Sequence, residues 1–500
     1  MRKLLVALLV ILTACSGAPP PATSAPSDGG LARATARAAD RETVRVTDHG
    51  AVRGTDHGEY LTYRGIPYAA PPVGERRWKP PEPAKAWNDT RDATKPARAC
   101  AQANLGAPGL RGSEDCLYLN VTAPAGRSKN RPVMVWLHGG GFTYGSGNDY
   151  DASLLATRGD TVVVTVNYRL GIFGFFGDNF GLADQAAALR WVRTNAAAFG
   201  GDPHDVTLFG ESAGGMSVCS HLTSPTSKGL FDKAIIESGS CLTEFPKNGI
   251  APGVPTYRPW WPKDRIAAIG AQTTKQLGCA DIACLRAKPT SELATTDLMS
   301  RFSFPAYGVD QLPEDPAVAL RTGRVPKIPI LQGFNRDEMR FYVAPALAGG
   351  LTLDEAKYDA LLTDSFGPAA PKIRAVYPPK PTPALAWATV LTDAGWACTT
   401  LAANQALDAY GYEFADRTAP NAQRIPTVAG FPLGAAHGTE LAYLFPGPKL
   451  TAQQQKLSNR MVDAWSRFAH RGDPGWAEFP HVEPLGGTAA DHHCDLWTSI

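Results

Sequence analysis

Residues 205–216 read Asp205-Val206-Thr207-Leu208-Phe209-Gly210-Glu211-Ser212-Ala213-Gly214-Gly215-Met216. The run 205–209 is short, largely apolar and rich in β-branched and aromatic residues, which predicts a strand. It passes without a spacer into Gly210-Glu211-Ser212-Ala213-Gly214, a G-x-S-x-G match. Met216, Val218 and Leu222 then follow at helical spacing. Glycines on both sides of Ser212 let the chain turn sharply from strand to helix. Such an elbow lifts the serine hydroxyl above the C-terminal edge of a sheet, where it can act as a nucleophile. The helix N-terminus beside it favours developing negative charge.

Working outward, residues 132–137 form a second buried strand signal that ends in His138-Gly139-Gly140-Gly141-Phe142. Acyl transfer needs backbone N–H donors converging on one oxygen, and glycines let a backbone crowd that oxygen. Gly140, Gly141 and Ala213 are the expected oxyanion donors, and His138 is expected to be structural. Further strand signals lie at 161–167, 233–236 and 328–332. A helix is predicted at 184–197, with Ala188, Leu189 and Val192 on one face. This alternation predicts an α/β fold with a large, mostly parallel central sheet covered by helices on both faces. Residues 41–127 are β-rich and irregular. Residues 242–325 break the rhythm and are expected to form an insertion over the active site. Their Trp260, Trp261, Phe302, Phe304 and Tyr307 either line a substrate pocket or pack the insertion.

A triad on this type of elbow has the order Ser, then Asp or Glu, then His. The strand signal at 328–332 runs into Gly333-Phe334-Asn335-Arg336-Asp337-Glu338, so the acid is Asp337 or Glu338; the pattern does not choose between them. Among the later histidines, His437 sits in the small-residue loop Gly434-Ala435-Ala436-His437-Gly438, which allows close approach. His470 falls in a helix predicted at 461–471, where a surface role is expected. His481 stands in no such loop, and His492 and His493, near the end of the chain, are expected to be exposed.

Composition narrows the function classes. The chain has 500 residues, 44% apolar and 19% charged, with a formal charge of +2. Without Arg2 and Lys3 the basic and acidic residues balance, which argues against nucleic-acid binding driven by net charge, and the apolar content argues against global disorder. No Cys/His cluster has zinc-like spacing, so no metal is expected, and the triad chemistry calls for no cofactor. Arg2 and Lys3, the apolar run 4–12 and Leu12-Thr13-Ala14-Cys15 read as a lipoprotein signal peptide (1–14) with Cys15 as the lipidation site. A plain secretory signal is the alternative. Residues 15–40, rich in Pro, Ala, Ser and Thr, are expected to be a flexible tether to the main domain at 41–500. The protein is therefore expected to be exported, anchored to the bacterial cell envelope through lipid or secreted.

Several stretches together resemble the type-B carboxylesterase/lipase family, the cholinesterase-like α/β-hydrolases. They are Tyr63-Arg64-Gly65-Ile66-Pro67-Tyr68-Ala69 with Pro71-Pro72-Val73-Gly74, Glu114-Asp115-Cys116-Leu117-Tyr118-Leu119-Asn120, and Asn167-Tyr168-Arg169-Leu170-Gly171. Gly181-Leu182-Ala183-Asp184-Gln185, the Ser212 elbow, and Phe468-Ala469 with Gly472-Asp473-Pro474 complete the set. The resemblance spans about residues 45–497. It implies an α/β-hydrolase fold and a Ser212–Glu338–His437 triad, selecting Glu338 over Asp337. It also implies Glu211 beside the site and Ser238 in support of the acid. The family usually has Gly after the acid, and this chain has Met339. The resemblance further implies disulfides Cys100–Cys116, Cys279–Cys284 and Cys398–Cys494, which leaves Cys219–Cys241.

The implied activity is a serine carboxylesterase acting on uncharged short- to medium-chain esters, with a lipase or polyester hydrolase as the alternative. A non-catalytic surface binding protein is a third reading, disfavoured by the intact triad. The segment between Cys100 and Cys116 holds 15 residues and no aromatic one. It therefore lacks the face on which a cholinesterase would bind quaternary ammonium.

Overall fold

The computed structural model describes residues 43–500 except 105, 106, 108 and 127; the expected signal peptide, the expected tether and Cys15 lie outside the described residues. Arg131–Leu137 and Val162–Val166 are strands in which every residue is buried. A strand buried on both faces must be covered on both, and such strands belong in the middle of a layered α/β sheet.

That sheet has ten strands. We number them in chain order: β1 Thr55–Asp56, β2 Tyr60–Pro67, β3 Tyr118–Pro124, β4 Arg131–Leu137, β5 Val162–Val166, β6 Gly201–Glu211, β7 Lys233–Glu237, β8 Ile330–Asn335, β9 Tyr410–Phe414 and β10 Val482–Leu485. Their spatial order is β10-β9-β8-β7-β6-β4-β5-β3-β2-β1. The pairs from β5–β4 through to β9–β10 are parallel, and those joining β5, β3, β2 and β1 are antiparallel.

Alternation along β4 divides the core. Val133, Val135 and Leu137 pack on one face of the sheet, and Met134 and Trp136 on the other. The first face is covered by α1 (Phe180–Asn195) and α2 (Ala213–Thr223). The second is covered by a 20-residue helix, Ala452–Arg471, through Met461, Val462, Trp465 and Phe468. The structure starts this last helix nine residues before the predicted 461, because Thr451 and Gln454 form a reciprocal capping box. Gly472, left-handed at φ 79°, ends it.

Between β7 and β8 lies the insertion, with helices Lys263–Gln276, Ile282–Ala287, Thr290–Leu293, Thr296–Arg301 and Pro316–Arg321. The Arg77 guanidinium fastens it to the N-terminal segment. It forks onto Glu114 and donates to the carbonyls of Leu285, Arg286 and Lys288. Disulfides join Cys100 to Cys116, Cys219 to Cys241, Cys279 to Cys284 and Cys398 to Cys494. Among the described residues no helix is long and apolar enough to cross a membrane.

Candidate active site

β6 ends at Glu211 and α2 begins at Ala213, so Ser212 alone makes the turn, at φ 57° and ψ −122°. A non-glycine residue in that region is strained, and the surroundings hold it there. The Ser212 N–H donates to the Glu237 carbonyl at 2.9 Å, and its carbonyl accepts from Met216 N–H at 2.8 Å. The glycine loop after β4 runs against this turn. A Cβ at Gly139 would lie 2.6 Å from Glu211 Oε2 and 3.1 Å from Ser212 Cβ, so only glycine fits. Gly140 turns at φ +101°, and its carbonyl is taken up by the N–H groups of Thr143 and Tyr144. The two loops that carry Gly140, Gly141 and Ala213 thus meet at the serine.

Glu338 and His437 come together from the loops after β8 and β9. His437 Nδ1 and Glu338 Oε2 are 2.6 Å apart, and both residues are buried. The other carboxylate oxygen, Oε1, accepts the Asn335 N–H at 2.8 Å. Asp337 points away, forked by Arg417 and paired with Arg340, which removes it as the acid. Among the described residues His437 Nε2 has no hydrogen-bond partner, and it faces Glu211 Oε1 at 3.2 Å. It is therefore not hydrogen-bonded to Ser212; catalytic hydrogen bonds are often long in unliganded sites.

The electrostatics follow from burial and crowding. Burial pushes Glu211 up to about 7, with Glu338 adding to the rise and His437 opposing it. Burial pulls the His437 imidazole down. The Glu211 and Glu338 carboxylates and the hydrogen bond to Glu338 outweigh it, and the net direction is up. Two more buried acids stand behind them. Glu237, across the strand pair from Glu211, is raised to about 8 by burial despite the hydrogen bond from Trp465 Nε1. Glu440 is raised well above the usual carboxylate range, by burial and then by its acidic neighbours.

Several expectations need correction. Ser238 does not support the acid by hydrogen bonding: its Oγ is buried without a partner among the described residues, and the Asn335 N–H does that work. His492 is buried, not exposed, with Nδ1 2.6 Å from Asp393 Oδ1; His493 is exposed. Trp260 and Phe302 are core residues, the first donating to Ser220 Oγ and the second packed on Phe176. Trp261 stacks on Phe304 at 3.8 Å. The rings around His437 are ones the sequence did not single out: Trp396 at 4.8 Å, Phe341 at 5.6 Å and Tyr342 at 5.9 Å. Asn335, three places before Glu338, stood inside the stretch quoted for the acid, and Glu440 lies three places after His437. His138 is buried and stacked on Tyr168, and burial lowers it to about 4, which fits a neutral structural residue.

The model of the carboxylesterase family matches residues 40–363 and 379–493. The chain belongs to the carboxylesterase family. Para-nitrobenzyl esterase of Bacillus subtilis (strain 168) is 36% identical over 452 residues, covering 82% of this chain and 86% of the relative. Carboxylesterase 5A of Felis catus is 35% identical, covering 84% of this chain and 83% of its own length. Among solved structures, a thermophilic para-nitrobenzyl esterase superposes with a TM-score of 0.72 at 34% identity, covering 89% of this chain and 96% of that one. The architecture is the α/β-hydrolase fold, and this carboxylesterase is a carboxylic ester hydrolase.

Proposed function

We propose that this carboxylesterase works through an acyl-enzyme on uncharged short- to medium-chain esters, with Ser212 as nucleophile, His437 as base and Glu338 as its orienting acid. The observation that carries the reading is a His437 whose Nδ1 is held 2.6 Å from Glu338 and whose Nε2 lies 3.2 Å from Glu211, the residue before the strained Ser212. That contact places the ring proton on Nδ1, so in the neutral ring Nε2, facing Glu211, carries the lone pair that acts as base. His437 Nε2 takes the Ser212 proton as Oγ attacks the ester carbonyl carbon. The resulting oxyanion accepts N–H groups of Gly140, Gly141 and Ala213. Collapse breaks the bond to the alcohol, which leaves with the proton from His437. Water, deprotonated by the same nitrogen, then attacks the acyl carbon and returns Ser212 to its hydroxyl.

The test is hydrolysis of a p-nitrophenyl ester series, acetate to palmitate, by the purified full chain and by Ser212→Ala. Turnover that peaks at short or medium chains and falls by roughly 10⁴-fold or more in the variant supports the reading. A palmitate optimum would replace it with a lipase, and equal activity in both proteins would remove Ser212 as nucleophile. We also propose export and lipid anchoring at Cys15, on the strength of Leu12-Thr13-Ala14-Cys15 and a disulfide-rich domain. Cys15→Ser should move the protein from the membrane fraction to the soluble one; unchanged fractionation would remove the anchor.

A further inference from the structure

Another buried histidine stands away from the reacting atoms, on the segment that the Cys398–Cys494 disulfide ties down. His492 Nδ1 lies 2.6 Å from Asp393 Oδ1, and its Nε2 lies 3.6 Å from Glu413 Oε1. Both carboxylates are buried, at 2% and 1% exposure, so neither is screened by bulk water. Asp393 Oδ2 accepts the Tyr377 hydroxyl at 2.8 Å, and Trp497 Nε1 donates to that hydroxyl oxygen at 3.1 Å. Ala490 N–H caps Glu413 Oε2, and Arg336 Nε stands 4.0 Å from Glu413 Oε1. Asp491 and His493, on the histidine's own segment, are exposed. An imidazolium presents an N–H on each side, one hydrogen-bonded to Asp393 and the other facing the Glu413 carboxylate across 3.6 Å.

Asp393 is the first residue of a five-residue π-turn, Asp393–Ala397. Two side chains at this turn reach the active site. Thr392, immediately before it, accepts the Met339 N–H at 3.1 Å, next to Glu338. Trp396, inside it, donates to Met339 Sδ at 3.1 Å and packs its ring 4.8 Å from that of His437. Met339, where the family usually has glycine, is therefore the contact through which the turn holds the acid loop.

We propose that His492, as a cation shared by Asp393 and Glu413, is a positioning residue that pins the π-turn and through Trp396 and Thr392 sets the placement of His437 and Glu338. The inference rests on the triad reading above. Burial opposes the charge on His492, but its hydrogen bond to Asp393 and the nearby Asp393 and Glu413 carboxylates raise it from 6.5 to about 9. The raised value fixes the sign. The pin's contribution to stability is complete below 6.5 and is lost as pH rises through about 9.

The experiment measures kcat, KM and the melting temperature of the purified full chain against pH, for wild type, His492→Gln and Glu413→Gln. The expected wild-type result is a reversible alkaline fall in kcat, with a parallel fall in melting temperature. His492→Gln should lose roughly 10-fold in kcat at neutral pH, show no alkaline limb, and keep the acid limb set by His437. Glu413→Gln, which keeps the histidine, should move the alkaline limb to lower pH. An alkaline limb unmoved in both variants, or wild-type kcat in His492→Gln, overturns the proposal. Should His492→Gln not fold, the Glu413→Gln limb decides. An inert wild type would instead indict the triad reading, while the melting curves would still test the pin without reference to catalysis.

Discussion

Glu211 shows how one residue can do two jobs at a crowded site. It sits next to Ser212, the proposed nucleophile, in sequence and 3.2 Å from His437 Nε2 in space. Its charge, with that of Glu338, keeps the His437 pKa raised against burial. In the proposed mechanism His437 must be neutral to accept the Ser212 proton, so activity should be lost as pH falls through that pKa. Glu211→Gln removes one of the two anions and should move the acid limb of kcat/KM to lower pH, as a pH profile on a short p-nitrophenyl ester would record. A limb that stays or rises would mean that Glu211 is already protonated where the profile is measured. Glu338→Gln leaves the shape and removes the charge that stabilises the imidazolium. It should cost about 10³–10⁴-fold in kcat, the scale seen when a triad carboxylate is neutralised. Asp337→Asn is the control: its partners are Arg340 and Arg417, so it should lose stability and leave the pH profile in place.

Elements differ in how openly the sequence announces them. β4, β5 and β6 were legible because an uninterrupted apolar run has few other readings, and the Ser212 elbow because its geometry demands small residues at fixed places. β9 and β10 were not. Tyr410–Phe414 is five residues with a glycine inside, and Val482–Leu485 contains Pro484, tolerable only because the strand is at the edge. The first half of the helix Ala452–Arg471 is polar and largely exposed, so periodicity missed it, although Thr451-x-x-Gln454 carried the start signal. Thr451→Ala should therefore cost about 1 kcal/mol in a denaturant titration, the usual value of an N-cap. The π-turn was invisible because its meaning lies in distant partners: Met339 and His437 are 57 and 41 positions from Trp396 in the chain. Trp396 is fully buried, so Trp396→Ala should cost about 3–5 kcal/mol and lower kcat as well, since the lost ring packs on the base. Loss of stability with kcat intact below the melting range would separate packing from positioning.

At the scale of the whole molecule, the stretches that resemble the family mostly lie off the chemistry and hold the frame. Arg169 forks onto Asp184 in the core, Asn167 gathers the Ser146 hydroxyl and the Gly147 N–H, and Glu114 takes the Arg77 fork that anchors the insertion. The active site is then assembled from the loops after β4, β6, β8 and β9, and its last wall depends on the end of the chain. The Cys398–Cys494 disulfide, with a sequence separation of 96, closes the largest of the four loops and joins that end to the helix following the π-turn. A cross-link restricts the unfolded chain more as its loop lengthens, and removing a native one typically costs about 2–5 kcal/mol. Cys398→Ser/Cys494→Ser should therefore lose that amount in denaturant unfolding, and should lose kcat before global unfolding, because the freed segment carries His492. The Cys279–Cys284 pair, with a separation of five and placed in the insertion, should cost far less when replaced by serines, with kcat unchanged. Equal losses from the two double variants would mean that neither loop length nor proximity to the π-turn governs the effect.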